Sequence, residues 1–218
     1  MATVITTPED VVNLALARIG FKRTIGYIYE GSAAAQAALT VYAQTRDELM
    51  RQSDWGFAEG NIFPTLLKSA PAGAYAPPVA WTNASPPLPW HYEYAYPYDC
   101  LKVRALKSQP PVLFNPDPQP VLYSVANDAP LTQFTNPANG DIYLANVPIK
   151  VLLCNILNPV LVYTKQVTDP TAWEADFVEA FAAALGRRIA PQLMGADAVK
   201  MAAADESNAK GVAMREQG

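Results

Sequence analysis

Proline governs the middle of this chain. Fifteen of the 20 prolines fall between Pro64 and Pro137, and a proline inside a helix removes a hydrogen bond and clashes with the preceding turn. Continuous helix is excluded there, so the chain divides into helical ends (1–60 and 168–218) and a central region (61–167) built from something else.

The N-terminal end reads as two helices. Thr7-Pro8-Glu9-Asp10 supplies a capping hydroxyl, a proline for the first helical position and two carboxylates at the positive end of the dipole. Val11, Val12, Ala15, Leu16 and Ile19 form its apolar face, and Gly20 stops it. The second helix starts after Ser32 and occupies the stretch Ala33 to Ala58. Ala35, Ala38/Leu39, Tyr42, Thr45/Arg46, Leu49 and Ser53 recur at three- and four-residue steps. Its initial alanines permit close approach of another backbone, and Trp55-Gly56-Phe57 is expected to end it through a left-handed glycine. Helices joined by the short loop Phe21 to Gly31 are expected to pack as an antiparallel hairpin.

A third helix follows Asp169-Pro170, with Trp173, Phe177, Val178, Phe181, Leu185 and Ile189 on one stripe. Trp55, Phe57, Trp173, Phe177 and Phe181 are expected to meet in one cluster. Pro191 ends or kinks this helix and Gly195 marks a break. From Ala196 to Met214 the composition favours helix, but the apolar face is thin, and the segment is expected to dock loosely.

In the centre, Ala70 to Pro89 has no usable period and reads as a long loop. Trp90 to Tyr96 alternates with period two, as does Cys100 to Leu106. Further strands are predicted at Val121 to Ala126, Asp141 to Ala145, Ile149 to Leu157 and Val160 to Lys165, with Asn139-Gly140-Asp141 as a hairpin turn. The expected fold class is α+β: a helical bundle carrying a small, mostly antiparallel β-region inserted between its halves.

Composition narrows the functional classes. The formal charge is −4 and no region is basic, so salt-driven phosphate binding has no electrostatic source. Only 17% of the residues are charged, which points to a surface partly covered by partners. Cys100 and Cys154 are too few for a disulfide framework and lack zinc-type spacing; they read as buried thiols in a reducing compartment. The start, MATVITTPEDV, lacks the regions of a signal peptide, and the longest apolar run, Val147 to Val162, is broken by Pro148, Lys150, Asn155, Asn158 and Pro159. A soluble protein made in the cytoplasm is expected.

No catalytic constellation emerges. His91 is the only histidine, so a triad or a histidine metal site has one imidazole to build on. No phosphate-cradling loop, GxSxG elbow or HExxH occurs. The acidic pairs Glu9/Asp10 and Asp47/Glu48 read as helix charges. Tyr92, Tyr94, Tyr96 and Tyr98 near Lys102 and Arg104 read as core or subunit interface rather than a base-stacking platform. No catalytic residue, metal ligand or cofactor site is assigned.

Three passages nevertheless resemble the head-to-tail adaptors of tailed bacteriophages, the tail tubular protein A group of short-tailed phages in particular. The first is Ala17-Arg18-Ile19-Gly20 with Arg46-Asp47-Glu48-Leu49 followed by Trp55 and Phe57. The second is Tyr94-Ala95-Tyr96-Pro97-Tyr98-Asp99-Cys100-Leu101-Lys102-Val103. The third runs from Tyr163-Thr164 through Val167-Thr168-Asp169-Pro170-Thr171-Ala172-Trp173 into Phe177 to Leu185. The resemblance implies a virion structural protein rather than an enzyme: a ring, of twelve copies, between portal and tail nozzle. It implies non-specific passage of double-stranded DNA through the lumen and a C-terminal segment reaching to the portal. A tail-completion or terminator ring is the alternative, and a non-viral interaction module the next. The loop at 70–89 is longer than the resemblance accommodates.

Overall fold

The computed structural model describes residues 6–71, 81, 82, 84–108, 120–135, 142–194 and 196–216; within 131–135, 143–145, 196–203 and 215–216 it describes the backbone alone. The chain divides into two compact units: Met1–Glu59 with Thr164–Gly218, and Gly60–Tyr163.

The first unit holds α1 (Pro8–Arg18), α2 (Ala33–Gln52), α3 (Ala175–Leu193) and α4 (Ala196–Glu216). Thr7 caps α1 reciprocally: its hydroxyl accepts from the Asp10 amide at 3.3 Å, and Asp10 accepts from the Thr7 amide at 2.9 Å. Gly20, at φ +76°, takes the left-handed turn that follows this helix. Ser32 accepts from the Ala35 amide at 3.2 Å and caps α2. That helix does not end on a left-handed glycine. It stops at Gln52, Ser53 is extended, and Gly56 opens a 3-10 turn. The indole of Trp55 donates to the Leu49 carbonyl at 3.1 Å, so the last turn is closed by a side chain.

The expected hairpin is also different. Both α1 and α2 pack extensively on α3 and barely on each other, because α3 has the widest apolar face. Phe177 is its centre, fully buried, with the rings of Trp55, Phe57 and Trp173 at 5.1, 5.1 and 5.3 Å and Phe181 at 5.9 Å. The five aromatics do meet. Gly186 lets α3 approach α1: a Cβ there would lie 3.1 Å from the Ala15 carbonyl oxygen and 3.2 Å from Ile19. Pro191 lies within α3, two residues before its end, where the break in the amide ladder costs least.

The C-terminal segment is a helix with its own docking. Charge makes up for its thin apolar face: Asp205 holds Arg18 at 2.7 Å, and Glu206, only 7% exposed, holds Arg187 at 2.5 Å and Lys210 at 2.8 Å. Ala213 is buried beneath them.

The second unit is built from β1 (Glu59–Ile62), β2 (Leu66–Ser69), β3 (Tyr92–Ala95), β4 (Cys100–Lys107), β5 (Tyr123–Asp128), β6 (Leu131–Thr135), β7 (Ile142–Asn146), β8 (Ile149–Cys154) and β9 (Val160–Lys165). One sheet has the order β1-β9-β4 and another β2-β3-β8-β5, while β6 and β7 form a ribbon. In the four-stranded sheet Tyr94 faces Leu152 and Val125 faces the same Leu152 from the other side, all antiparallel. Tyr94, Leu106, Leu152, Cys154, Leu161 and Tyr163 form one core drawn from both sheets. Gly60 on β1 lies against the Tyr163 ring so closely that a Cβ would sit 2.7 Å from it.

The expected class, a helical bundle with a small β-insert, is therefore wrong. The fold is mixed α/β, with four helices, seven strands in two antiparallel sheets and the two-stranded β6–β7 ribbon among the described residues, and with strands interleaved through the chain. The error has a physical source. β1 (EGNI) and β2 (LLKS) are four residues each and carry no apolar alternation; β2 owes its pairing to β3, distant in sequence. Strand propensity of this kind is set by neighbours across the sheet, which a local pattern does not contain. The predicted turn at 139–141 and most of the proline-rich loop lie outside the described residues.

Candidate functional site

A concavity lies wholly in the β-rich unit. It is a cleft of about 910 Å³, walled by Trp81, Pro86 and Leu88 and floored by Lys68, Glu93 and Asp128. The three charged side chains come together through the sheet. Lys68 on β2 stands in register with Glu93 on β3, and Asp128 ends β5 opposite Ile149 of β8. Lys68 donates to Asp128 at 2.5 Å and lies 3.6 Å from Glu93 Oε1.

The two carboxylates are not equivalent. Glu93 is 1% exposed, and its Oε1 is buried without a hydrogen-bond partner. Burial pushes its pKa up, with Lys68 opposing and Asp128 reinforcing the rise. Asp128 moves down, chiefly because Lys68 donates to it. Burial alone would lower Lys68, but the hydrogen bond to Asp128 and the charges beside it leave its pKa raised. One cation thus serves two carboxyl groups, through a hydrogen bond to Asp128 and an ion pair with Glu93. The buried trio is paired within itself, with a proline and tryptophan wall beside it.

The residues singled out in the sequence are placed as follows. His91 is half-buried beside Tyr92, its backbone amide bound to the Asn155 side chain at 2.9 Å. Cys100 and Cys154 are free, and burial pushes both thiols up, the direction of lower reactivity. Glu9 accepts from the Ile28 amide, Asp47 from Gln166, and Glu48 pairs with Arg188 at 2.5 Å. The tyrosine series splits: Tyr94 is core, with its hydroxyl donating to the Ile156 carbonyl at 3.1 Å, while Tyr98 is fully exposed. Among the described residues no group of three or more His, Cys, Asp or Glu side chains can hold a metal ion, and no helix is long and apolar enough to cross a membrane.

Sequence reasoning missed the Lys68–Glu93–Asp128 cluster. Its one local signal was Glu93, an acid inside the aromatic run Trp90 to Tyr96. Alternation assigns such a residue to an outer face; here Pro86 and Leu88 line the same cleft and cover that face.

The residues that carry the phage-adaptor resemblance are structural joints. Arg18 bridges Glu179 and Asp205. Trp55 and Phe57 pack on Phe177, and the Trp173 indole donates to the Val167 carbonyl at 3.1 Å. In the other unit Asp99 accepts from the Tyr163 hydroxyl at 3.2 Å; burial and this carboxylate push Tyr163 up to about 12. No family model matches the chain, and a search of curated proteins finds no significant match.

Proposed function

We propose that this protein is a structural component of a tailed-phage virion: the adaptor ring between portal and tail nozzle, present in about twelve copies as the resemblance implies, through whose lumen double-stranded DNA passes. The observation that carries this reading is that the three resembling passages fold onto one another. The first and third meet at Phe177, and the second and third meet at the Asp99–Tyr163 hydrogen bond.

Two further features agree with it. A net charge of −4 gives DNA in transit no purchase. Large apolar side chains stand out on the β-rich unit, among them Tyr98, Leu122, Leu88 and Phe63 at 102, 80, 69 and 66% exposure, and such surface belongs under a partner. The test is mass photometry of the full chain alone and with purified portal. Portal particles should gain mass in a fixed, ring-sized increment. A chain that never joins portal at any concentration overturns the reading.

A further inference from the structure

One pair of strands in the β-rich unit runs on past its sheet. β5 and β8 pair from Tyr123 opposite Cys154 to Asp128 opposite Ile149. Three residues further along each strand, β6 and β7 take up the same register, from Leu131 opposite Asn146 to Thr135 opposite Ile142. Between the two stretches the Val147 amide donates to the Pro130 carbonyl at 3.4 Å, so the pairing carries across the joint. Pro130 and Pro148 both lie at that joint, outside the strands proper, where a missing amide costs a ladder least. β3 leaves β8 at Ala95, opposite Val151. From there β6 and β7 go on as a ribbon with no third strand among the described residues.

Such a ribbon is poorly suited to solvent. Two strands alone are marginal in water and need further strands or a packed face. Proteins protect an open edge with charge, with proline inside the strand or with a bulge. The other terminal strands of this unit do so: β1, β4, β2 and β5 carry Glu59, Lys102, Lys68 and Asp128, and β2 has a register shift between Leu66 and Lys68. β6 (LTQFT) and β7 (IYLAN) hold neither a charge nor a proline, and their pairs run without a shift. Thr132, Phe134, Thr135, Ile142 and Tyr143 give them the composition of strands that pair.

Symmetry says what covers them. The ribbon has two unlike edges, one along β6 and one along β7. A strand from a different partner covers one edge and leaves the other open. Further copies of the ribbon cover both, since each brings a β7 edge to one neighbour and a β6 edge to the other. With no charge on either strand, main-chain hydrogen bonds carry the recognition.

We propose that the β6 edge of one copy pairs with the β7 edge of the next, joining the ribbons into one continuous sheet. This rests on the ring reading and deepens it. A β6-to-β7 joint is heterologous, and such joints propagate until they close in a cycle.

The experiment uses full-length chains. Thr132→Lys with Gln133→Lys charges the β6 edge, and Leu144→Glu with Ala145→Glu charges the β7 edge; circular dichroism checks that both are folded. Assembly on portal is followed by mass photometry, and self-association of the free chain by sedimentation. Each variant alone should assemble about tenfold or more weakly than the native chain. Mixed one to one they should recover, because alternating copies set lysine against glutamate at one joint and native edges at the next. Hydrogen exchange of the native chain needs no variant: amides of 131–135 and 142–146 should gain protection on assembly. Variants that assemble like the native chain, a mixture no better than its parts, or unchanged exchange overturn the ribbon joint while leaving the ring reading standing. A native chain that self-associates with this charge pattern but ignores portal overturns the ring reading alone. A native chain that joins neither portal nor itself overturns both.

Discussion

The two units solve the same problem in different ways. In the helical unit ion pairs tie one helix to another: Arg18 to Glu179 and Asp205, Glu48 to Arg188, and Glu206 to Arg187. Its aromatics turn inward onto Phe177. The β-rich unit buries its core around Tyr94 and Tyr163, and it carries the most exposed large apolar side chains, Tyr98, Leu122 and Leu88. One unit is held by ion pairs and aromatic contacts between helices, the other by a core shared between two sheets.

The sharpest way to break that contrast is at Phe177. It is fully buried and touches four other aromatic rings, so Phe177→Ala should cost about 3–5 kcal/mol in chemical denaturation. A loss near zero would mean that the helical unit is not held by this cluster. Next come the two close-approach glycines, one in each unit. Gly60→Ala drives a methyl into the Tyr163 ring, which its Asp99 hydrogen bond restrains, and Gly186→Ala drives one into the Ala15 carbonyl. Gly60→Ala should cost about 1–3 kcal/mol; Gly186→Ala should cost less, because its contacts at 3.1 and 3.2 Å are looser and alanine regains about 1 kcal/mol of helix propensity. Hydrogen exchange should assign the first loss to the strands around Tyr163 and the second to α1 and α3. If both substitutions weaken both units equally, the units do not unfold separately.

Smaller again is the charged seam of α4. Glu206→Ala leaves Arg187 and Lys210 without their carboxylate. Arg187 is half-exposed, which moderates the loss to about 1–2 kcal/mol. Protection of α4 amides should fall with it. An unchanged exchange rate would return α4 to the loose docking that its thin apolar face implies.

How much of this could be read from the sequence differs between the units for the same reason. Helix signals are local: Thr7, Asp10, Ser32 and Gly20 act within a turn or two, and the stripe from Trp173 to Ile189 identifies its own burial. Strand signals are only half local. The runs at Tyr92, Cys100, Ile149 and Val160 announce themselves by alternation, while β1 and β2 exist because β9 and β3 lie beside them. Ion pairs such as Arg18–Asp205, separated by 187 residues, have no sequence signature, and α4 looked thin because its docking depends on them. The candidate site was illegible for both reasons, since Lys68 sits on an unannounced strand and Glu93 on a face that alternation assigns to solvent.

The smallest effect tests that site by pH. Burial raises the folded-state pKa of Glu93 above its ordinary 4.5, so the folded chain keeps this proton longer than the unfolded chain does. Stability contributed by the neutral carboxyl is complete below the ordinary value and is lost as pH rises through the raised one. Asp128 runs the opposite way: its pKa is lowered from 3.8, so its contribution is present above that value and lost as pH falls through the lowered one. The two windows do not coincide, and Glu93→Gln isolates the first. The native β-rich unit should lose stability as pH rises above the ordinary value of 4.5 and through the raised one, while the glutamine variant stays flat there. Below that range the pH dependence of the two proteins should run parallel, through Asp128 and the other carboxylates. Urea denaturation at stepped pH, followed by Trp81 and Trp90 fluorescence after Trp55 and Trp173 are replaced by phenylalanine in both proteins, makes the comparison. If the slopes coincide above pH 4.5, Lys68 offsets the burial of Glu93 more fully than a 3.6 Å separation implies.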